Sequence, residues 1–137
     1  MKYYLIDASV VLKSMFKESR SVAKKFEKVL EEVSRMKAEV ISSKFLIMEV
    51  ANGIRFSEKD RIMSEKYLEA FLELPIKYLT LSKEQYKKAL EVSYEIGTTV
   101  YDTSYHILSK AHNALFLTCD EDYYSKAKSL GDIELIN

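Results

Sequence analysis

Four acidic residues stand where strand and helix boundaries would gather them: Asp7, Glu49, Asp102 and Asp120. Asp7 ends the apolar run Tyr3-Tyr4-Leu5-Ile6, and Asp120 follows a second such run, Ala114-Leu115-Phe116-Leu117-Thr118. Asp102 opens the helical segment that begins Tyr101-Asp102-Thr103-Ser104, and Glu49 sits inside an otherwise apolar helical run from Phe45 to Ala51. In open α/β sheets the ligand site lies beyond the carboxyl ends of the strands, where acids from distant parts of a chain can meet. Like charges brought together raise one another's pKa unless a cation sits between them. A bound divalent metal is therefore the chemistry that this set of residues suggests.

Each acid also has a purely structural reading. Asp7, Asp102 and Asp120 lie near helix starts, where Asp is favoured as a cap and by the helix dipole. Capping explains each one singly; it does not explain why these strand ends carry Asp rather than Ser, Thr or Asn. Glu49 is harder to account for that way, because burying a carboxylate without a partner is costly. It must reach a cation, a donor or a solvent cleft, and an ion pair with Arg55 is the structural alternative. Asp122 reads as a helix-start residue, with auxiliary metal ligation as its other role. His106 and His112 are six apart and do not share a helix face, so with a single cysteine a structural zinc site is not expected. The three glycines, 53, 97 and 131, form no phosphate-cradling loop.

The elements that must position these residues follow from periodicity and punctuation. Residues 3–6 read as a buried strand, after which Asp7 or Ser9 caps a helix to about Phe16. A second helix runs from Ser21 to about Met36, with Val22, Phe26, Val29, Leu30 and Val33 at helical spacing. Val40 and Ile41 predict a strand, and Ser42-Ser43 a helix start. Helices follow over Lys44 to about Phe56 and Lys59 to Leu72, the second with Ile62, Leu68, Phe71 and Leu72 inward, and Pro75 breaks the chain. Ile76 to Leu79 reads as strand. Ser82 caps a helix that Gly97 ends, and Thr98 or Thr99 begins another running to His112, with Asn113 at its end. Strand 114–118, a helix from about Asp122 to Leu130 and a strand from Ile133 to Ile136 complete the pattern. Strands alternating with helices predict an α/β fold with a parallel sheet covered on both faces.

Composition limits the remaining possibilities. The 137 residues suit a single domain spanning 1–137, and the 47% hydrophobic content predicts a folded globule. Lys+Arg and Asp+Glu balance at 21 each, so there is no overall basic footprint for nucleic acid, only room for a local basic rim. The N-terminal apolar run is too short for a signal peptide, and no stretch reaches membrane-spanning length. One cysteine, Cys119, reads as a small buried residue, and such sparse cysteine usage fits a cytoplasmic location. Residues 44–72 carry more apolar side chains than two helices need to cover one side of a small sheet, which predicts a homodimer, with a groove near these helices that an amphipathic partner segment could enter. The structural alternative is one thick core.

In order and spacing, four segments resemble the motifs of PIN-domain nucleases. Leu5-Ile6-Asp7-Ala8-Ser9 resembles the opening motif, and Met48-Glu49-Val50-Ala51-Asn52-Gly53-Ile54-Arg55 the second. Tyr101-Asp102-Thr103-Ser104-Tyr105 resembles the third, and Leu117-Thr118-Cys119-Asp120-Glu121-Asp122-Tyr123-Tyr124 the fourth. The resemblance covers essentially the whole chain, and the nearest group is the VapC-type toxins of prokaryotic toxin–antitoxin pairs. Ser104 and Ser109 depart from the small apolar residues common at those positions. The resemblance implies a three-layer α/β/α sandwich with a mostly parallel central sheet and a Mg²⁺- or Mn²⁺-dependent ribonuclease activity. It also implies an RNA substrate and a cognate antitoxin. Asp7, Glu49, Asp102 and Asp120 fall on the family's acidic positions, and Ser9 on a small polar one. On this reading Asp7, Asp102 and Asp120 hold the metal, Glu49 ligates it or orients the attacking water, and Asp122 is auxiliary. Two other classes fit the residues less well. A phosphohydrolase of the haloacid-dehalogenase type would want a second Asp where Ser9 stands, and a receiver domain would want paired acids after the first strand. A non-catalytic PIN-like module would be expected to have lost some of the four acids.

Overall fold

The alternation of short apolar runs with helical repeats becomes β1 (Lys2–Ile6), α1 (Ala8–Met15), α2 (Arg20–Ser34), β2 (Ala38–Ser43), α3 (Phe45–Ser57) and α4 (Arg61–Leu72). These are followed by β3 (Ile76–Leu79), α5 (Lys83–Ile96), α6 (Val100–Ala111), β4 (Leu115–Thr118), α7 (Glu121–Ala127) and β5 (Ile133–Leu135). The computed structural model describes all residues, 1–137.

The strands form one sheet in the order β3-β2-β1-β4-β5, and every neighbouring pair is parallel. The sheet is therefore wholly parallel, not merely mostly so. The chain steps outward from β1 to β2 to β3, then returns past β1 to β4 and on to β5. Right-handed crossovers place α1–α4 on one face and α5–α7 on the other. The packing of α1 on α2 and α3, of α3 on α4 and of α5 on α6 agrees with this three-layer arrangement. The order reverses between β1 and β4, and the carboxyl ends of those two strands lie side by side.

The core follows from this layering. Strands buried on both faces need continuous apolar runs, and Leu5, Ile6, Phe116 and Leu117 are almost completely buried in the main hydrophobic cluster. Gly53 lets α3 approach α1 closely: a Cβ there would stand 2.3 Å from Leu12 Cδ1. Gly97, at φ +69°, takes the left-handed conformation that ends α5, whose start is fixed by a Ser82–Gln85 capping box. No helix is long and apolar enough to cross a membrane.

Two boundaries differ from the sequence expectation. Ser42 and Ser43 end β2 instead of starting a helix, because their hydroxyls serve the sheet edge. Ser42 Oγ donates to the Ile6 carbonyl (2.8 Å), while Ser43 Oγ accepts the Phe45 N–H (3.2 Å) where the chain turns into α3. The helix expected to reach Leu130 is α-helical only to Ala127; Lys128–Leu130 tightens into a 3-10 turn before Gly131 at φ +79°. Of the four residues expected inward on α4, Phe71 is buried and Leu68 half-buried, but Ile62 and Leu72 stay exposed, because α4 packs chiefly on α3. Leu46, Val50, Ile54 and Phe71 enter the core, whereas Met48, Phe56, Ile62, Met63 and Leu72 remain exposed.

Candidate active site

Asp7 and Asp120 meet across the reversal in strand order. Asp7 caps α1, its Oδ1 accepting the N–H groups of Ser9 (3.0 Å) and Val10 (3.4 Å) and the Ser9 hydroxyl. Its Oδ2 accepts the hydroxyl of Thr118, the last residue of β4, at 2.6 Å. Thr118 Oγ1 in turn accepts the Asp120 N–H (3.1 Å), and Ser9 Oγ accepts the Cys119 N–H (2.9 Å). Asp120 caps α7 through the Tyr123 N–H (2.9 Å) with Oδ1. The two turns are thus clasped together, each carboxylate oriented by fixed donors.

The other two acids come from opposite layers. Glu49 projects from α3, and the hydroxyl of Tyr105 on α6 donates to its Oε1. Asp102 lies in the first turn of α6 but does not cap it: the Thr99 hydroxyl accepts the Asp102 N–H at 3.1 Å. One turn before the Glu49–Tyr105 contact, Phe45 and Tyr101 stack with centroids 5.0 Å apart and planes inclined by 21°. These two contacts tie α3 to α6 over the carboxyl edge of the sheet.

The electrostatics connect all four acids. Burial pushes the Asp7 carboxyl up to about 6, against the Ser9, Thr118 and Val10 donors, and the Glu49 charge adds to the rise. Glu49 is raised by burial, relieved by the Tyr105 hydrogen bond and raised again by Asp102. Asp102 is raised by burial and by the charges of Asp120 and Asp122. No Lys or Arg forms an ion pair with any of the four. Arg55, the partner considered for Glu49, instead lies over the Phe56 ring at 5.2 Å. Asp122 is exposed and pairs with Lys126 at 3.2 Å.

The donor set limits which ion would fit. No three acidic, His or Cys side chains stand close enough together to hold one ion directly. That spacing suits Mg²⁺ or Mn²⁺, hard ions that take oxygen ligands; Mg²⁺ in particular keeps several waters and takes one or two carboxylates. A closed zinc cage does not fit. His106 is buried with both ring nitrogens engaged, by the Tyr123 hydroxyl (2.8 Å) and the Gly131 carbonyl (2.7 Å). The Cys119 thiol is pushed up to about 11 by burial and by the Asp7 charge.

Sequence reading had assigned no role to Tyr105 or Thr118. Tyr105 lies three residues after Asp102 and so on the same side of α6, a spacing that could have drawn attention to it; Thr118 carries no signal beyond ending its strand. Burial and the Glu49 hydrogen bond hold the Tyr105 hydroxyl far above the usual phenol range, so it keeps its proton and donates it to Glu49. Tyr105→Phe is expected to cost about 1–3 kcal/mol of stability. Freed from its donor, Glu49 should titrate at a higher pH, which NMR titration of the carboxyl would read directly. An unchanged Glu49 titration would show that the contact does not orient it.

Comparison with known proteins agrees with this architecture. VapBC2 from Rickettsia felis, solved bound to a DNA fragment from its promoter, is similar with TM-score 0.72 and 16% identity, covering 98% of this chain and 99% of that one. PAE2754 from Pyrobaculum aerophilum is similar with TM-score 0.63 and 22% identity, over 93% and 87% of the two chains. A toxin–antitoxin complex from Klebsiella pneumoniae gives TM-score 0.67 and 12% identity, over 96% and 95%. Identities this low establish the shared fold alone. Among curated proteins, none matches the chain. The PIN domain family model matches residues 4–129, almost the whole chain and all four acidic segments, and the protein therefore belongs to the PIN domain family.

Proposed function

We propose that the protein is a Mg²⁺- or Mn²⁺-dependent endoribonuclease and the toxin of a toxin–antitoxin pair. PIN domains are generally nucleases. The observation that carries the reading for this chain is the row of four carboxylates across the carboxyl edge of β1 and β4 with no basic partner. Burying such a row in mutual repulsion is unfavourable unless a cation joins it.

Asp7, Asp102 and Asp120 would hold the ion between them, at least one of them through water, with Asp122 at most an outer contact beside its Lys126 pair. The ion supplies charge neutralisation at the phosphoryl oxygens and a water of lowered pKa. Ser9, Val10 and Thr118 fix the orientation of Asp7, so little rearrangement is needed there on loading. Tyr105 occupies Glu49 Oε1 and leaves Oε2 to orient the attacking water and accept its proton. The decisive assay incubates single-stranded RNA with the purified protein in Mg²⁺, in Mn²⁺ and in EDTA. Cleavage confined to the metal-containing reactions, and lost with Asp7→Asn, is expected; intact RNA under every condition would overturn the reading.

The partner reading rests on the exposed Met48, Phe56, Ile62, Met63 and Leu72 along α3 and α4, and on the similarity to VapBC2 and to a neighbour described as a toxin–antitoxin complex. Apolar side chains left on the surface in this number favour a protein interface. Light scattering on the pure protein is expected to give a homodimer, and a monomer at high micromolar concentration would contradict it. Co-expression with the neighbouring small gene product is expected to yield a complex with suppressed nuclease activity. A product that neither co-purifies nor inhibits would leave a nuclease acting alone.

A further inference from the structure

A cavity of about 280 Å³ opens beside the acids, at the carboxyl ends of β2 and β3. One wall is the stacked Phe45–Tyr101 pair, and Leu79 and Leu81 line it opposite. Phe45 lies one turn before Glu49 on α3, and Tyr101 one turn before Tyr105 on α6. The cavity therefore sits about 5.4 Å, one helical turn, from the Glu49–Tyr105 contact. It is at the small end for ligand pockets, suited to a single flat ring system. Thr80 and Ser104 line it; the Ser104 hydroxyl donates to the Tyr101 carbonyl at 2.7 Å and so can only accept from a ligand. Lys44 lines it too, exposed and free of any acidic partner.

We infer that this cavity is a base-recognition subsite, which takes one unstacked nucleobase of a single-stranded RNA beside the phosphate at the acids. The inference rests on the nuclease reading for the identity of its ligand. Unpaired bases in RNA are recognised by stacking on aromatic faces and by hydrogen bonds to their edges. The cavity offers both, with Tyr101 as the platform and Thr80 and Ser104 at the rim. Lys44 supplies the positive charge for a flanking phosphate, a contact that positions the strand without reading sequence. The balanced net charge of the chain makes such a local cation the more necessary, since no general basic surface draws the strand in.

The test is an abasic scan. Single-stranded hexaribonucleotides, with each base removed in turn, are titrated onto the protein in Ca²⁺, and the RNA is checked to be intact by gel. Loss of one particular base is expected to weaken binding about tenfold, and loss of the others about twofold or less. Leu81→Trp, which fills the cavity, and Tyr101→Ala, which removes the platform, should each flatten the profile while weak base-independent binding persists. Tyr101 is 63% exposed, so its variant keeps the test open if Leu81→Trp does not fold. A flat wild-type profile, no binding at all, or a profile unchanged in the folded variants would overturn the subsite. The same oligonucleotides in Mn²⁺ test the nuclease reading separately. A position-specific profile without cleavage would remove the enzyme and keep the base site; cleavage with a flat profile would do the reverse.

Discussion

Asp102→Asn is expected to lower metal-dependent RNA cleavage by roughly a thousandfold or more while the protein keeps its fold. Asp102 is the most telling of the acids because it has the least structural work. Thr99, not Asp102, caps α6, so an isosteric neutral replacement leaves the helix start intact. What it removes is a charge that burial, and then Asp120 and Asp122, already disfavour, holding its carboxyl above the usual range. Asp7 and Asp120 are less clean probes, since both are caps, although Asn preserves much of that role. Single-turnover cleavage, paired with a circular dichroism spectrum, measures the effect. A folded variant cutting within about threefold of the wild-type rate would take Asp102 out of the site.

The second large effect concerns stability without metal. Asp7 titrates at about 6 in the folded protein against 3.8 as the ordinary value. The folded state therefore holds this proton more tightly than the unfolded state does. The stabilisation this gives is fully present below pH 3.8 and is lost as pH rises through 6, a change of about 3 kcal/mol. Asp7→Asn escapes the loss but forfeits the ionic hydrogen bond from Thr118, which offsets about 1 kcal/mol. In EDTA at pH 7.5 the variant should melt roughly 6–10 °C above wild type, and the gap should close towards pH 4. Mg²⁺ or Mn²⁺ should stabilise the wild type much more than the variant, since binding to the native state alone raises its melting temperature. A variant that melts below wild type in EDTA at pH 7.5 would mean that Asp7 is held for structure and not for charge.

Periodicity along the chain was enough to locate every strand and helix, because each buries an apolar stripe of its own. What it could not locate were boundaries set by another element. Ser42 and Ser43 look like a helix start, yet Ser42 belongs to the sheet because the Ile6 carbonyl on the neighbouring strand accepts its hydroxyl. The partner of Glu49 was invisible for the same reason. Arg55 lies nearby on the same helix, but Tyr105 arrives from the opposite layer, 56 residues away. Capping and ligation, which looked like rival accounts of the acids, prove compatible. Asp120 gives Oδ1 to the Tyr123 amide and makes no hydrogen bond through Oδ2, and a carboxylate has about four lone-pair directions to share. The acids were legible because strand ends in a parallel sheet share one edge; their supporting hydroxyls were not, because Ser and Thr at such ends are common for many reasons.

The side-by-side placement of β1 and β4 has a consequence for synthesis. Asp7 and Thr118 lie 111 residues apart in the chain, yet the Thr118 hydroxyl orients Asp7 and also accepts the Asp120 amide. Domains generally fold as units, so the carboxyl edge of this one closes only after β4 has been made. A nascent chain before that point lacks Asp120 and the Thr118 bond to Asp7, so the row of acids is incomplete. Long-range pairing of this kind is also slow. On the proposed function, β4 would thus act as a built-in delay, leaving the nascent chain inert towards RNA until that strand has been made.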